Sequence, residues 1–325
     1  MYQQYNNARY NIMTLHTGDY VPNIDKTVYR FHSPITHLKS NLRNCLTYDN
    51  QNLVAVDIKN CQPYFSVILL NIKFWGLNFS DNLYDKGTLT LKDVNPALYK
   101  AMKIEMSQVM HNLLEEYQLQ LEKDPDQLDL YINCIQSGVL YQEIANVLNR
   151  PDLAERIRNH NAKQYRIKNG LPLEGKAKRK IKPKIIDVKK VKGDFLVMFN
   201  GDNRYHNNTK LVFETLWPTP GSLFASLKRK NNGSLGTILM QIESHLVLKV
   251  ICKRIATEEP NLPIFTIHDS IVTTVGYEKY VEQVIVEELE KAIGIPPTCK
   301  CEYWHPDNLE FFDGASYWEY LEACA

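Results

Sequence analysis

The stretch VAVDIKNCQPYF, residues 54–65, places one acid in the middle of an apolar run. Val54, Ala55 and Val56 precede Asp57, and an aromatic and aliphatic segment follows it. These β-branched residues predict a buried strand that ends near Asp57. A carboxylate at the end of a buried strand is costly unless another group compensates its charge. Asp57 is therefore a candidate functional residue.

A second acid has the same kind of surroundings in LPIFTIHDSIVTT, residues 262–274. The pattern predicts a hairpin, with strands at 263–267 and 271–275 and a turn that contains Asp269. Two aspartates on neighbouring strands can hold a divalent cation, and hard oxygen ligands suit Mg²⁺. Two such ions would activate an attacking hydroxyl and stabilise a leaving pyrophosphate. The alternative is that each aspartate is only a turn or capping residue.

The composition places few limits on function. The chain has 325 residues, and its 38 basic and 37 acidic side chains leave a net charge of +1, which is no global signal for a polyanionic partner. Seven cysteines, an odd number, predict reduced thiols in a cytosol, because the one close pair, Cys299 and Cys301, lacks partners at zinc-site spacing. The N-terminus has no hydrophobic signal core, and no run of 18 apolar residues occurs. We therefore expect a cytoplasmic protein that does not bind a membrane.

Hydrophobic periodicity gives an outline of the secondary structure. Residues 1–27 are polar and are expected to form a partly ordered lead-in, and a strand is expected at 53–57. Helices are predicted at 35–46, 63–75, 93–123, 137–149, 235–256 and 278–293. This irregular alternation of helices with a few strands predicts a mixed fold, α+β or α/β.

Residues 155–192 form a basic run, with 14 Lys or Arg among 38 residues and three acids. The centre of the run contains Lys176, Lys178, Arg179 and Lys180. Such a run either contacts nucleic-acid phosphates or is a solvated loop, and the sequence leaves both open.

Five segments, in order, resemble the polymerase core of family A DNA polymerases and, more distantly, the phage single-subunit RNA polymerases. VYRFHSPITHLKSNLRNCL (28–46) resembles the basic segment before motif A, and LVAVDIKNCQPYF (53–65) resembles motif A. VKGDFLVMFNG (191–201) is similar to motif B, and LGTILMQIESHLVLKV (235–250) resembles the helix whose Gln touches the primer-template junction. FTIHDSIVTT (265–274) resembles motif C. The style is that of the compact polymerase-like proteins of phages and mobile elements.

The resemblance implies an α+β fold: a right-hand palm, with an antiparallel sheet backed by helices, and helical fingers. It implies no exonuclease domain and no conventional thumb. The expected order is a lead-in at 1–27, a first palm segment with motif A and a helical insertion at 28–137, fingers with motif B and the basic loop at 138–215, and a second palm segment with motif C and the C-terminal tail at 216–325.

The resemblance also implies a role for each site residue. Asp57 and Asp269, with the Ile58 carbonyl, would hold two Mg²⁺ ions, for which Mn²⁺ is an alternative. The nucleotide would contact Lys192, Gln62, Phe199 and Asn200. Nucleic acid would contact Arg30, Arg43, Gln241, His268, Lys176, Lys178, Arg179 and Lys180.

Each of these side chains also has a simpler explanation. Lys192 could be one charge on a solvated face, Arg30 and Arg43 could pair with surface acids, and Gln241 could be a neutral helix residue. His268 could be a core histidine with its hydrogen bonds satisfied. The sequence leaves these alternatives open.

The implied activity is template-dependent DNA polymerisation by a two-metal mechanism. The partners would be a primer-template, nucleoside triphosphates and an accessory protein that supplies a thumb or a primase function. Two departures from the family matter: the motif A Glu is Gln62, and the acid after Asp269 is Ser270. A single-subunit RNA polymerase or primase-like enzyme, or a degenerate palm that only binds nucleic acid, are the alternatives.

Overall fold

The computed structural model describes residues 2–76, 86–105, 126–150, 166–167, 170, 172, 185–229 and 231–308. The chain forms two compact units. The first unit comprises Met1–Cys61, Met240–Ala292 and Cys299–Ala325, and the second comprises Gln62–Leu239 and Ile293–Thr298. These boundaries do not coincide with those expected for palm and fingers, and that assignment stays a prediction.

The first unit is built on a five-stranded antiparallel sheet. A separate two-stranded ribbon pairs β1 (Asn23–Ile24) with β2 (Phe31–His32). The strands of the main sheet are β3 (Thr47–Tyr48), β4 (Gln51–Ile58), β5 (Phe265–Ile267), β6 (Ser270–Thr274) and β7 (Cys299–Trp304). Their order is β3-β4-β6-β5, and β7 pairs with β4. The mixed helical and antiparallel composition agrees with the predicted α+β class.

The central strand β4 is the most buried strand of this sheet. Residues 53–56 are buried on both faces, which explains the continuous apolar run before Asp57. On one face, Leu53 and Ala55 pack with Val272 of β6 and Trp304 of β7. The apolar pattern thereby specifies the register, because a slip by one residue would turn this face away from its core.

The turn between β3 and β4 uses left-handed backbone at two successive residues. Asp49 has φ 47° and Asn50 has φ 60°. Asp and Asn tolerate this region better than other non-glycine residues, and two such residues form the tight turn that matches strand twist. The sequence predicted a turn here, and the structure confirms it.

The helices of the first unit confirm one prediction and correct two. The helix Glu278–Ile293 has the predicted bounds, and Val281, Val284, Ile285 and Leu289 are buried as predicted. The expected lead-in is instead largely helical, at Tyr2–Thr17, and Asn11 Nδ2 donates to the His37 carbonyl at 3.2 Å. The expected single helix at 35–46 is two short helices, Pro34–His37 and Ser40–Arg43.

A long helix runs over Ser234–Glu258, and residues His245–Ile251 within it have π-helical hydrogen bonding. By length and composition alone this helix could cross a membrane. However, 61% of its most apolar window is buried inside the protein. A buried core helix passes the same test of length and hydropathy, so the helix is explained by its packing.

The second unit is helical in its described part. Its helices, with those that begin or end at a unit boundary, are Cys61–Ser66, Val67–Leu70, Ile72–Trp75, Leu91–Val94, Pro96–Glu105, Gln127–Gln136, Leu140–Leu148, Val188–Asn200, Asn208–Leu216 and Pro218–Leu227. Its core contains a cluster of aromatic rings: Tyr131, Tyr141, Phe195, Phe199, Phe213, Trp217 and Phe224. The predicted helix at 93–123 is described only as far as residue 105.

Gly294 offers a test of close packing in the second unit. Its φ is +97°, and an added Cβ would lie 2.7 Å from the Lys86 carbonyl carbon and 2.8 Å from the Gly87 nitrogen. Gly276 has φ +105° with nothing within 4 Å of such a Cβ, so it serves as the matched control. We expect Gly294→Ala to lower the free energy of unfolding by about 2–5 kcal/mol and Gly276→Ala by about 1–2 kcal/mol. Urea denaturation measures both, and equal losses would contradict the close approach.

Candidate active site

Asp57 and Asp269 lie at the same end of two neighbouring strands. Asp57 is the second-last residue of β4 and lies opposite Ser270 of β6 in the antiparallel register. Asp269 directly precedes Ser270. The two acids, 212 positions apart in the chain, are thereby placed side by side by main-chain pairing.

The other neighbour of Asp57 is a cation. Lys300 of β7 lies opposite Asp57 on the strand's second side. Oppositely charged residues at directly opposed positions attract each other. This position therefore contributes to compensating the charge of Asp57 even when no metal is bound.

The turn that carries Asp269 is tight. β5 and β6 are joined by His268 and Asp269 alone, and His268 has φ 56°. Ser270 Oγ donates to the Ile267 carbonyl at 3.0 Å. Burial lowers the pKa of the His268 imidazole, and the positive charge of Arg30 lowers it further, while Asp269 opposes them. The neutral imidazole is therefore favoured.

Two residues that the sequence motifs did not single out, Glu243 and Cys61, also lie near Asp269. Glu243 is 2% exposed, and Arg30 donates to it through Nε (2.9 Å to Oε1) and Nη2 (2.8 Å to Oε2). The Cys61 thiol donates to Glu243 Oε2 at 3.5 Å and also forms a hydrogen bond with Asp269. We define Arg30, Glu243, Cys61 and Asp269 as the acid–thiol cluster.

Burial dominates the electrostatics of this cluster. It raises the pKa of Glu243, the bonds from Arg30 lower it, and the charge of Asp269 raises it again. Burial, followed by the charges of Glu243 and Asp269, raises the pKa of the Cys61 thiol well above its ordinary value. Cys61 is therefore a protonated donor. A lone acid among apolar helix residues was the available sequence signal for Glu243, the same signal that identified Asp57.

The donor chemistry at the sheet end suits Mg²⁺. Asp57 and Asp269 supply hard carboxylate oxygens, and the Ile58 carbonyl follows Asp57 in β4. Within the described residues, no group of three or more His, Cys, Asp or Glu side chains has the arrangement of a metal site. This fits an ion held by one or two carboxylates together with substrate phosphates, and it does not fit an all-protein cage.

Three residues expected to contact nucleic acid have internal partners instead. Arg30 binds Glu243, and Gln241, only 5% exposed, donates from Nε2 to the Thr27 carbonyl at 2.6 Å. Arg43 donates to the carbonyls of Leu38 (3.0 Å) and Thr36 (3.3 Å), and burial lowers its pKa. These donors are used for the protein's own folding, which corrects the expectation drawn from the motif positions.

The residues expected to bind the nucleotide lie in the second unit, and they differ in exposure. Lys192 is exposed on the helix Val188–Asn200, as its expected role requires. Asn200 is also exposed, and its Nδ2 donates to the Leu196 carbonyl at 2.9 Å. Phe199 is fully buried against Phe195 and Phe224, so its ring belongs to the core and the expected nucleotide contact is corrected.

The C-terminal end of the helix Val188–Asn200 is held by a buried lysine. Lys228, 3% exposed, donates from Nζ to the carbonyls of Met198 (2.6 Å) and Gly201 (3.2 Å). A cation at this end satisfies carbonyls that have no helical partner and complements the helix dipole. Burial lowers the pKa of Lys228.

Gln62 and the basic run complete the predicted set. Gln62 Oε1 is buried and has no hydrogen-bond partner among the described residues. Lys176, Lys178, Arg179 and Lys180 lie outside the described residues. The cysteines that the structure describes are all free, in agreement with the expected reduced thiols.

Comparisons with known proteins give one structural neighbour. No protein-family model matches the chain, and no curated protein matches it significantly. The solved structure described as "POL domain of Pol1 from M. smegmatis complex with DNA primer-template and dNTP" is 12% identical, with a TM-score of 0.27. The alignment covers 87% of this chain and 47% of that domain, so the chain spans about half its length. The structural neighbour is thus a DNA polymerase domain, at a TM-score too low to establish a shared fold.

Proposed function

We propose that the chain is a template-dependent nucleotidyltransferase, a DNA polymerase that extends a primer 3′-hydroxyl with deoxynucleoside triphosphates. The observation that carries the proposal is the placement of Asp57 and Asp269 at one end of an antiparallel sheet. Carboxylates paired in this way can hold cations between themselves and substrate phosphates. The order of the five sequence segments supports the same activity.

In the proposed reaction, the primer 3′-hydroxyl attacks the α-phosphate of the incoming nucleotide and pyrophosphate leaves. Asp57 and Asp269, with the Ile58 carbonyl, would hold Mg²⁺, which when bound lowers the pKa of the hydroxyl and stabilises charge on the phosphate oxygens. The tight β5–β6 turn fixes the Asp269 backbone beside β4. His268 is favoured in its neutral form and can donate a hydrogen bond to the primer terminus.

Lys192 would neutralise the triphosphate as a point charge. Its helix is anchored by the buried Phe195 and Phe199, and Lys228 holds the C-terminal end. The first unit would then serve as the palm and the second would include the fingers. Since Arg30, Arg43 and Gln241 have internal partners, duplex binding is assigned to His268 and the basic run.

Primer extension tests the proposal. A labelled primer is supplied with a DNA template, an RNA template or none, and with deoxynucleotides or ribonucleotides. We expect extension on a template with deoxynucleotides. Primer-independent synthesis from ribonucleotides would indicate an RNA polymerase or primase-like enzyme. Binding without synthesis under every condition would indicate a degenerate palm and overturn the proposal.

Gln62 gives a prediction about sugar selection. The resemblance places this residue under the incoming sugar, and its buried Oε1 has no partner within the described part of the chain. An amide can donate to and accept from a ribose hydroxyl, so discrimination against ribonucleotides should be weaker than with a carboxylate. We expect Gln62→Glu to sharpen deoxynucleotide preference and Gln62→Ala to relax it by about tenfold, because the steric bulk is lost.

Direct competition of the two nucleotide types at one templated position measures this preference. Gln142, an exposed glutamine on the helix Leu140–Leu148, provides the control, and Gln142→Ala should leave the ratio unchanged. An unchanged ratio in Gln62→Ala as well would show that Gln62 does not face the sugar.

A further inference from the structure

Glu243 brings a second carboxylate close to Asp269 from outside the hairpin. The residue after Asp269 is Ser270, whose hydroxyl donates back to the Ile267 carbonyl of its own hairpin. The hairpin itself therefore supplies one carboxylate only. Glu243 lies on the long helix Ser234–Glu258, and its charge acts on the same local group of side chains as that of Asp269.

The Glu243 carboxylate has a fixed orientation. Arg30 bonds to both of its oxygens in a forked arrangement, at 2.9 and 2.8 Å. Planar forked pairs of this kind constrain geometry as well as charge. Arg30 also compensates a carboxylate that is 2% exposed and would otherwise be costly to bury beside a second acid.

Cys61 connects this fixed carboxylate to Asp269. The thiol is 7% exposed, donates to Glu243 Oε2 and forms a hydrogen bond with Asp269. Cys61 follows β4, the strand of Asp57, by three positions and begins the helix Cys61–Ser66. All four members of the acid–thiol cluster belong to the first unit.

We propose that Glu243 and Cys61 are positioning residues for Asp269: Arg30 orients Glu243, and the Cys61 thiol links Glu243 to the Asp269 carboxylate. This inference rests on the proposed function, because Asp269 is assigned there to the cation and substrate phosphates. Neither residue touches the reacting atoms, so their loss should lower turnover and cation binding while nucleotide affinity changes little.

The decisive comparison is Cys61→Ser against Cys61→Ala. Serine keeps a hydroxyl donor at the same place, and alanine removes the donor with a small change in volume. We expect kcat to fall about tenfold in Cys61→Ala, the effect of losing one hydrogen bond to a charged group, and within about threefold in Cys61→Ser. The KM for the nucleotide should stay within about twofold in both. Cys252→Ala, at a free and partly buried cysteine of the same unit, is the control and should match the wild type.

A second measurement does not depend on activity. Binding of Mn²⁺ alone, followed by the loss of the free-ion paramagnetic resonance signal, should weaken several-fold in Cys61→Ala and in Glu243→Gln but not in Cys61→Ser. Thermal melting checks that each variant is folded. A purely structural role would lower the melting temperature of both Cys61 variants without separating their kcat values or their Mn²⁺ binding.

The outcomes distinguish this inference from the proposed function. If the wild type extends primers and Cys61→Ala equals Cys61→Ser in kcat and in Mn²⁺ binding, the inference is overturned and the proposed function stands. If the wild type extends no primer, the proposed function fails, and the Mn²⁺ comparison alone then decides whether the thiol link orders the Asp269 carboxylate.

Discussion

Replacing Asp57 or Asp269 with Asn is expected to abolish primer extension and to leave nucleic-acid binding largely intact. Each substitution keeps the side-chain size but removes a carboxylate charge from the end of the sheet. A cation-holding charge contributes several kcal/mol to the transition state, so we expect a loss of about 10³-fold or more in kcat/KM. Affinity for the duplex depends mainly on phosphate contacts elsewhere and should change little. Single-turnover extension and fluorescence anisotropy measure the two effects separately.

Two controls make this prediction specific. Asp19 is an exposed acid of the same unit, and Asp19→Asn should extend primers as the wild type does. Lys300→Met removes the cation opposite Asp57. If Asp57 served only to pair with Lys300, Lys300→Met would be as damaging as Asp57→Asn. Retention of more than about a tenth of activity in Asp57→Asn or Asp269→Asn, a loss of only ~1.4 kcal/mol, would be inconsistent with the assigned role.

Local patterns were sufficient for the sheet that carries the two aspartates. The hairpin at 265–274 and the helix Glu278–Ile293 were predictable because their burial alternates with the period of a strand or of a helix. The helix Tyr2–Thr17 was missed because its polar, Asn-rich sequence has no clear apolar stripe. Short-range periodicity thus identifies elements that bury a continuous face, and it fails for a helix with little hydrophobic patterning.

The candidate site was only partly predictable for a different reason. The pairing of Arg30 with Glu243 joins residues 213 positions apart, and no local pattern specifies which buried acid a given arginine meets. The motif positions assigned Arg30 and Gln241 to nucleic acid, whereas the folded chain uses both internally. Sequence reasoning identified the strand-borne acids, and tertiary packing determined the side chains that surround them.

Phe199 tests the same distinction between a ligand contact and a core residue. Its ring is fully buried, with centroid distances of 4.6 Å to Phe195 and 5.3 Å to Phe224. We expect Phe199→Ala to lower the free energy of unfolding by about 3–5 kcal/mol, because truncation loses burial and leaves a cavity. Val197 lies on the same helix and is 42% exposed, so Val197→Ala should change stability by only about 0.5 kcal/mol.

Phe199→Leu separates the two roles of that position. Leucine restores most of the buried volume but has no aromatic face, so stability should largely recover and the KM for the nucleotide should equal that of the wild type within about twofold. Chemical denaturation and steady-state kinetics below the melting transition give the two values. A large rise in KM in a stably folded Phe199→Leu protein would mean that the ring contacts the nucleotide after all. An unchanged KM would leave Lys192 and Asn200 as the exposed nucleotide contacts predicted on this helix.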